Sequence, residues 1–172
     1  MISSPPTTPK ASRTLQLLLV FVPAIFLVIT AMDSIWSSSS DMAHHYALAA
    51  RLAEFWTMPA ARDLSLGEMN IYPRTSHLLA AIAGNFFDSP LIGMQLMSLF
   101  SIIAIWASLL FVVLALPKTT GIKTATYLAL LIVLNYFVFD ANLHGNEVVG
   151  NYFYAQLVAQ AFVTVGLAIT LS

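Results

Sequence analysis

The chain has 172 residues, of which 59% are hydrophobic and only 9% are charged, whereas an ordinary soluble domain is about 25% charged. The mean hydropathy of +0.82 excludes an ordinary soluble enzyme, and the formal charge of −1 gives no basic patch for nucleic acid. Cysteine is absent, which excludes a disulfide framework and a thiolate metal site. This composition indicates an all-α integral membrane protein.

Four apolar stretches are long enough to cross about 30 Å of hydrocarbon as α-helices. We predict transmembrane helices at 15–35, 91–116, 124–139 and 152–172. A central Lys or Asp would oppose insertion by about 2.5–3.5 kcal/mol, and no such charge lies in the middle of a stretch. We therefore expect about four membrane spans.

The basic residues indicate how the chain crosses the membrane. Positive charges without acidic neighbours precede the first span, in the tail 1–14, and occupy the predicted turn at 117–123. The tail is rich in Ser, Thr and Pro, so we predict that it is disordered. By the positive-inside rule both segments are cytoplasmic. The sequence thus predicts a multi-pass protein of the cytoplasmic (inner) membrane with a cytoplasmic N-terminus.

The acidic residues and the histidines fall on the opposite side. All of them lie at the end of the first span or in the segments 36–90 and 140–151, which are then extracytoplasmic. Within the longer segment, 41–56 has many Ala and Leu and no Gly or Pro, which favours a helix. The stretch 75–87 is too short to span a bilayer. Both are predicted to be amphipathic helices that lie at the membrane surface.

Two ionisable residues of this segment suit chemistry at a membrane surface. Asp41 can accept a proton from a hydroxyl group, or it can simply cap the helix that follows. Arg74 can hold a phosphate through two parallel hydrogen bonds, or it can anchor its helix to a lipid headgroup. The second surface helix is expected to place Arg74 and His77 near the headgroups.

The order of these features resembles a known family. An early Asp is followed by an amphipathic helix, by Tyr-Pro-x-x-x-His-Leu-Leu at 72–79, by Gly-x-Phe-Phe at 84–87 and by a long second span. Over about 15–116 this is similar to the start of the GT-C superfamily of polytopic glycosyltransferases. These enzymes transfer a sugar from a polyprenyl-phosphate carrier outside the cytoplasmic membrane. The chain departs from many relatives by having Pro73-Arg74 where they have Pro-Pro.

The resemblance implies roles for individual residues. It implies that Asp41, with Asp33 as the alternative, is the catalytic base of an inverting transfer. It also implies a second acidic residue in the next outer segment, for which Asp140 and Glu147 are the matches and Glu147 is the catalytic candidate. The leaving lipid phosphate needs a cation, for which Arg74 is the candidate and Arg51 the alternative. The other candidate substrate-binding residues are His44, His45, Tyr72, His77 and Asp140.

No cofactor is predicted, and a divalent metal is the open alternative. Neighbouring histidines on a helix point about 100° apart, which disfavours zinc binding by His44 and His45 together. The expected partners are the lipid bilayer and a polyprenyl-phosphate-linked sugar, without nucleic acid. Family members have many more spans, so we expect an N-terminal part of a longer protein or a chain that needs a partner subunit. A non-catalytic membrane subunit and a small transporter of lipid-linked substrates remain the alternative functions.

Overall fold

The computed structural model of the chain describes residues 11–36, 40–55, 64–139 and 154–171. These residues form helices and no strand. In chain order the helices are α1 (Ala11–Trp36), α2 (Ser40–Phe55), the 3₁₀ segment η1 (Leu64–Ile71), α3 (Thr75–Asn85), α4 (Pro90–Ala115), α5 (Lys118–Leu134), a π-helical turn (Asn135–Phe139) and α6 (Tyr154–Thr170). The all-α prediction is confirmed.

Three of the described helices are long and apolar enough to cross a membrane, namely Arg13–Trp36, Pro90–Ala115 and Lys118–Val138. The fold is therefore that of a multi-pass membrane protein. α6 is apolar and has 17 described residues, at the lower end of the length that crosses a bilayer. The fourth predicted span stays a prediction, because residues 140–153 before α6 lie outside the described part.

Two predicted boundaries are corrected. α1 begins at Ala11, four residues before the predicted start, so the end of the supposed disordered tail is helical. The predicted turn at 117–123 is also shorter than expected, since α5 begins at Lys118. The chain reverses at Leu116 and Pro117, which have extended backbones, and the Gly121 N–H already donates to the Pro117 carbonyl at 2.8 Å.

The helices α1, α4, α5 and α6 form what we call the span bundle. α4 packs against the other three, and α1 packs against α5. The interior of the bundle is apolar and includes Val20, Leu27, Ile102, Ile105, Val113 and Ala161. Burial of such side chains and close helix contact hold the bundle together.

The elements α2, η1 and α3 form what we call the juxtamembrane layer. The two amphipathic helices predicted at 41–56 and 75–87 are present as α2 and α3. They pack on each other, and both contact α4. Their shared apolar cluster contains Leu48, Leu52, Leu66, Met69 and Ala81. The layer therefore has a small core of its own beside the core of the span bundle.

Candidate functional site

A cavity of about 530 Å³ lies in the juxtamembrane layer, between α2 and η1. Its walls carry carboxylate, imidazole, hydroxyl and phenol groups. The residues that line it are Asp41, His44, His45, Ser65, Leu66, Gly67, Glu68, Met69 and Tyr72. The cavity between α1 and α4, by contrast, is lined by apolar side chains alone. The polar cavity is the best candidate for a site that binds a polar ligand.

The first turns of α2 build one wall of the cavity. Asp41 lies at the start of α2, one turn before His45, and residues three or four apart share a helix face. Asp41 is half-buried and His44 is exposed, so both side chains can meet a ligand. His45 also lines the cavity, but it is only 1% exposed and lies deeper.

The segment η1 builds the opposite wall. Its backbone bends at Gly67, where φ is 52° and ψ is −126°, a conformation that suits only glycine. The exposed Glu68 follows this bend directly and lines the cavity. Tyr72 stands just beyond η1, with its ring edge-on to His45 at 5.1 Å between centroids.

Behind the cavity, two buried imidazoles form a hydrogen bond between α2 and α3. His45 Nδ1 and His77 Nε2 lie 2.8 Å apart. His77 Nδ1 lies 3.0 Å from the Pro73 carbonyl oxygen, which can only accept, so Nδ1 carries the proton. His77 Nε2 therefore accepts, and His45 Nδ1 donates to it. This assignment of the tautomers follows from the hydrogen-bond network.

His77 is uncharged at neutral pH. His77 is 0% exposed, and its burial, together with the neighbouring His45, lowers its pKa from 6.5 to about 4. The hydrogen bond to the Pro73 carbonyl opposes this shift without cancelling it. Burial makes a positive charge costly because it is removed from water, and a charge on the neighbouring His45 repels a second one.

Tyr154, the first residue of α6, connects the span bundle to this pair. Its hydroxyl donates to the Ser76 carbonyl at 2.7 Å, and its ring is edge-on to His77 at 5.3 Å. Tyr154 is 0% exposed. One side of the histidine pair thus rests on the span bundle, and the other side faces the cavity.

The structure brings together some of the residues that the sequence singled out. Asp41, His44, His45 and Tyr72 line one cavity. His77 lies behind His45, which corrects its expected place near the headgroups: α3 packs against α2, α4 and α6, and this packing encloses the imidazole.

Three other candidates do not join this group. Arg74 is not among the residues that line the cavity, and its guanidinium donates to the Asn70 carbonyl at 2.9 Å. Asp140 and Glu147 lie outside the described residues, so their roles stay predictions.

Two residues of the site were missed by sequence reasoning. Glu68 looks like one more acid in a loop of mixed polarity, and the preceding Gly67 is the only local signal of a bend. The aromatic stretch 152–156, which contains Tyr154, suggests the lining of a sugar or lipid groove rather than a support for the histidines. The contact of Tyr154 with Ser76 joins residues 78 positions apart, and no local pattern can predict such a contact.

The two imidazoles are not arranged around a metal ion. Zinc lies about 2.0–2.1 Å from each histidine nitrogen, so two nitrogens on one tetrahedral ion are roughly 3.3 Å apart. The facing nitrogens of His45 and His77 are closer than this, at 2.8 Å. Among the described residues, no group of three or more His, Asp or Glu side chains could hold a metal.

Comparison with known proteins does not assign the cavity to a family. No protein-family model, no curated protein and no solved structure matches this chain. The function therefore has to be inferred from the groups in the cavity and from its place beside the apolar spans.

Proposed function

We propose that the chain is the N-terminal part of a membrane glycosyltransferase. It moves a sugar from a polyprenyl-phosphate carrier to an acceptor at the extracytoplasmic face of the cytoplasmic membrane. The observation that supports this most is the polar cavity that holds Asp41 directly beside a bundle of apolar spans. A lipid-anchored donor and a water-borne acceptor can meet at such a boundary.

In this proposal Asp41 is the catalytic base. Its carboxylate is half-buried in the cavity wall, within reach of both a ligand and water. It takes the proton from an acceptor hydroxyl as that oxygen attacks the anomeric carbon of the sugar. The bond between the anomeric carbon and the phosphate oxygen breaks, and the lipid phosphate leaves with the electron pair. A single displacement of this kind inverts the anomeric configuration.

Other polar groups of the cavity are suited to bind the sugar. The Glu68 carboxylate and the His44 imidazole are both exposed and can hydrogen-bond to hydroxyl groups. Arg74 stays the candidate for the lipid phosphate. One of its N–H groups is used by the Asn70 carbonyl, but a guanidinium has five such donors. Both contacts can therefore coexist.

The alternatives are a non-catalytic membrane subunit and a transporter of lipid-linked substrates. Transport pathways usually contain ionisable residues within the membrane. The described parts of α4 and α6 contain no charged residue. The charged residues of α1 and α5 lie toward the ends of those helices. The carboxylates in the cavity favour an enzyme over a scaffold, because a scaffold needs neither of them.

The test is to replace Asp41 by Asn in the native full-length protein and to measure sugar transfer from a polyprenyl-phosphate donor in vesicles. We expect a loss of about 10²–10⁴-fold, the usual contribution of a general base. Asp41 lies inside the first turn of α2, which begins at Ser40, so losing its charge costs about 0.3–1 kcal/mol of helix-dipole interaction and α2 is preserved.

Glu54→Gln is the matched control for this test, because Glu54 lies on α2, is exposed and pairs with Arg51 rather than lining the cavity. It should keep full transfer. Full transfer by the Asp41→Asn protein, or no transfer by the native protein, would refute the proposal.

A further inference from the structure

The His45–His77 pair has no direct place in the chemistry proposed above. With exposed fractions of 1% and 0%, the two imidazoles are too enclosed to bind a ligand directly. The pair nevertheless makes a hydrogen bond from α2 to α3, at the turn of α2 that follows Asp41. The pair is therefore positioned to hold one wall of the cavity in place.

We propose that the His45–His77 pair is an acid-sensitive latch that holds α2 against α3 and thereby keeps Asp41 and His44 in the cavity wall. This inference goes beyond the proposed function, because it concerns the shape of the cavity whatever reaction takes place there. The latch is closed when both rings are neutral and is released when the pair gains protons.

The proton count of the pair explains its sensitivity to acid. In the neutral pair, one proton lies between His45 Nδ1 and His77 Nε2. One added proton places a positive charge on rings that are only 1% and 0% exposed, which is costly. A second added proton puts an N–H group on both facing nitrogens, His45 Nδ1 and His77 Nε2, so neither can accept and the hydrogen bond between them is lost. The hydrogen-bond partners of His77 are His45, Ser76 and the Pro73 carbonyl, and none of them is an anion.

Several of the elements packed around His77 present uncharged groups to it. η1 and the residues after it present the Tyr72 ring, and α6 presents the Tyr154 ring, both edge-on and uncharged. α4 contacts both helices and contains no charged residue. α6 contains none in its described part.

The charged and titratable residues that lie near the pair along the chain include both acids and bases. On α2, Asp41 lies one turn before His45, and His44 is next to it; both line the cavity. Glu68 of η1 also lines the cavity. Arg74 directly precedes α3 and is the nearest basic residue along the chain.

The direction of the pH effect follows from the pKa of His77. Burial and the neighbouring imidazole lower this pKa to about 4, against 6.5 for an unburied histidine. Between these two values the released state binds a proton that the latched state does not bind. Lowering the pH through this window therefore favours release, whereas a change above pH 6.5 has no effect through this group.

The rest of α2 limits how far the latch can open. Leu48 and Leu52 lie beyond His45 and pack with Met69 and Ala81 in the apolar core of the juxtamembrane layer. These contacts do not depend on pH. The first turn itself carries Met42, which is 4% exposed and packs in the apolar core of the span bundle. Release is therefore expected to loosen the first turns of α2, which carry Asp41, without detaching them, while its later turns stay fixed.

The latch can be tested by measuring a distance between α2 and α3. The chain contains no cysteine, so single spin labels can be placed by the substitutions Ala43→Cys and Ile82→Cys, at exposed positions of the two helices. The labelled full chain in lipid nanodiscs is examined by pulsed electron resonance. We expect one narrow distance distribution at pH 7.5 and a second, longer and broader population that grows between pH 6.5 and 4.

Two variants of the labelled chain separate the pair from other titrating groups. His45→Gln combined with His77→Gln supplies amides that hydrogen-bond without titrating, so the narrow distribution should persist at pH 4. His44→Gln removes the adjacent exposed imidazole and should leave the response of the parent unchanged. The latch is refuted if the parent shows no change at pH 4. It is equally refuted if the double variant responds like the parent or if His44→Gln abolishes the response.

A second measurement leaves the pair intact and covers the case in which the double variant is already disturbed at pH 7.5. Nitrogen NMR of the histidine side chains gives the midpoint at which His77 gains its proton. This midpoint must coincide with the midpoint of the distance change, and separate midpoints refute the latch.

Refutation of the latch leaves the glycosyltransferase proposal standing, because the Asp41→Asn assay is run at neutral pH. A failed transfer assay likewise leaves the distance measurement valid.

Discussion

The span bundle and the juxtamembrane layer bury polar groups in different ways. Within the bundle, hydroxyl side chains mostly donate to the backbone of their own helix, as Ser98 does to Met94 and Thr164 does to Gln160. In the juxtamembrane layer, the buried His45 bonds to His77 on another helix, in addition to the local bond of His77 to Pro73. A hydroxyl that donates to the backbone of its own helix lets that helix lie in lipid without a polar partner on another helix. A bond between helices fixes where one helix lies relative to another.

This difference indicates where in the molecule the relative positions of the helices are fixed by hydrogen bonds. Interhelical polar contacts of the bundle occur near its ends, where Gln95 donates to the Ile35 carbonyl and Gln16 donates to the Lys118 carbonyl. The middle of the bundle relies on apolar packing, which tolerates small shifts. The cavity wall cannot tolerate them, since a catalytic group must be held in place. Among the described residues, cross-helix hydrogen bonds of side chains thus lie at the ends of the bundle and behind the cavity.

The largest predicted effect is at the junction of the two regions. A Cβ atom on Gly93 of α4 would overlap the Ala80 carbonyl oxygen and the backbone of Gly84, so Gly93→Ala must push α3 away from α4. We expect a loss of about 3 kcal/mol in the free energy of unfolding, because backbone atoms cannot move aside as a flexible side chain can. Unfolding in mixed detergent micelles, followed by circular dichroism, measures this loss.

Gly166→Ala in α6 is the matched control for this substitution. No atom of the described residues lies within 4 Å of a Cβ built there. Alanine has a higher helix propensity than glycine, so this change should be neutral or stabilise by up to about 1 kcal/mol. Equal effects of the two substitutions would show that α3 and α4 are not in close contact.

A smaller effect is expected where α6 supports the histidine pair. Tyr154→Phe removes the hydrogen bond to the Ser76 carbonyl and keeps the ring. We expect a loss of about 1 kcal/mol in the free energy of unfolding, the usual net value of one hydrogen bond. Tyr127→Phe on the exposed face of α5 is the control and should cost much less. A loss no greater than that of the control would mean that α6 is held by apolar contacts alone.

The two regions also differ in how well the sequence predicts them. The spans could be predicted because lipid demands long apolar helices, and α4 (Pro90–Ala115) was placed within one residue of its predicted ends. Proline at the first turn of α4 and the Ser89 cap, which accepts from the Ile92 N–H, mark its start locally. The start of α1 was harder, because helix ends depend on weak local preferences.

The candidate site could be predicted only in part. The high helix propensity of α2 could be recognised in the sequence, and its start, predicted at residue 41, lies at Ser40. Helical spacing predicts His44 and His45 on one flank, whereas the structure exposes His44 and buries His45. The contact of His45 with His77 could not be predicted from the sequence, because His77 lies 32 residues further along the chain. Sequence patterns suggested two helices facing lipid headgroups, whereas the tertiary packing turned part of their polar faces toward each other.

The smallest predicted effect concerns the exposed face of α2. The Arg51 and Glu54 side chains pair at 3.3 Å but are 37% and 63% exposed. Water and salt screen such a pair, so Glu54→Gln should change the free energy of unfolding by less than about 0.5 kcal/mol. The same detergent titration at low and high salt measures it. A loss above about 1 kcal/mol would mean that α2 is held by its exposed face. In that case the buried imidazoles and leucines would not be the contacts that fix the cavity wall.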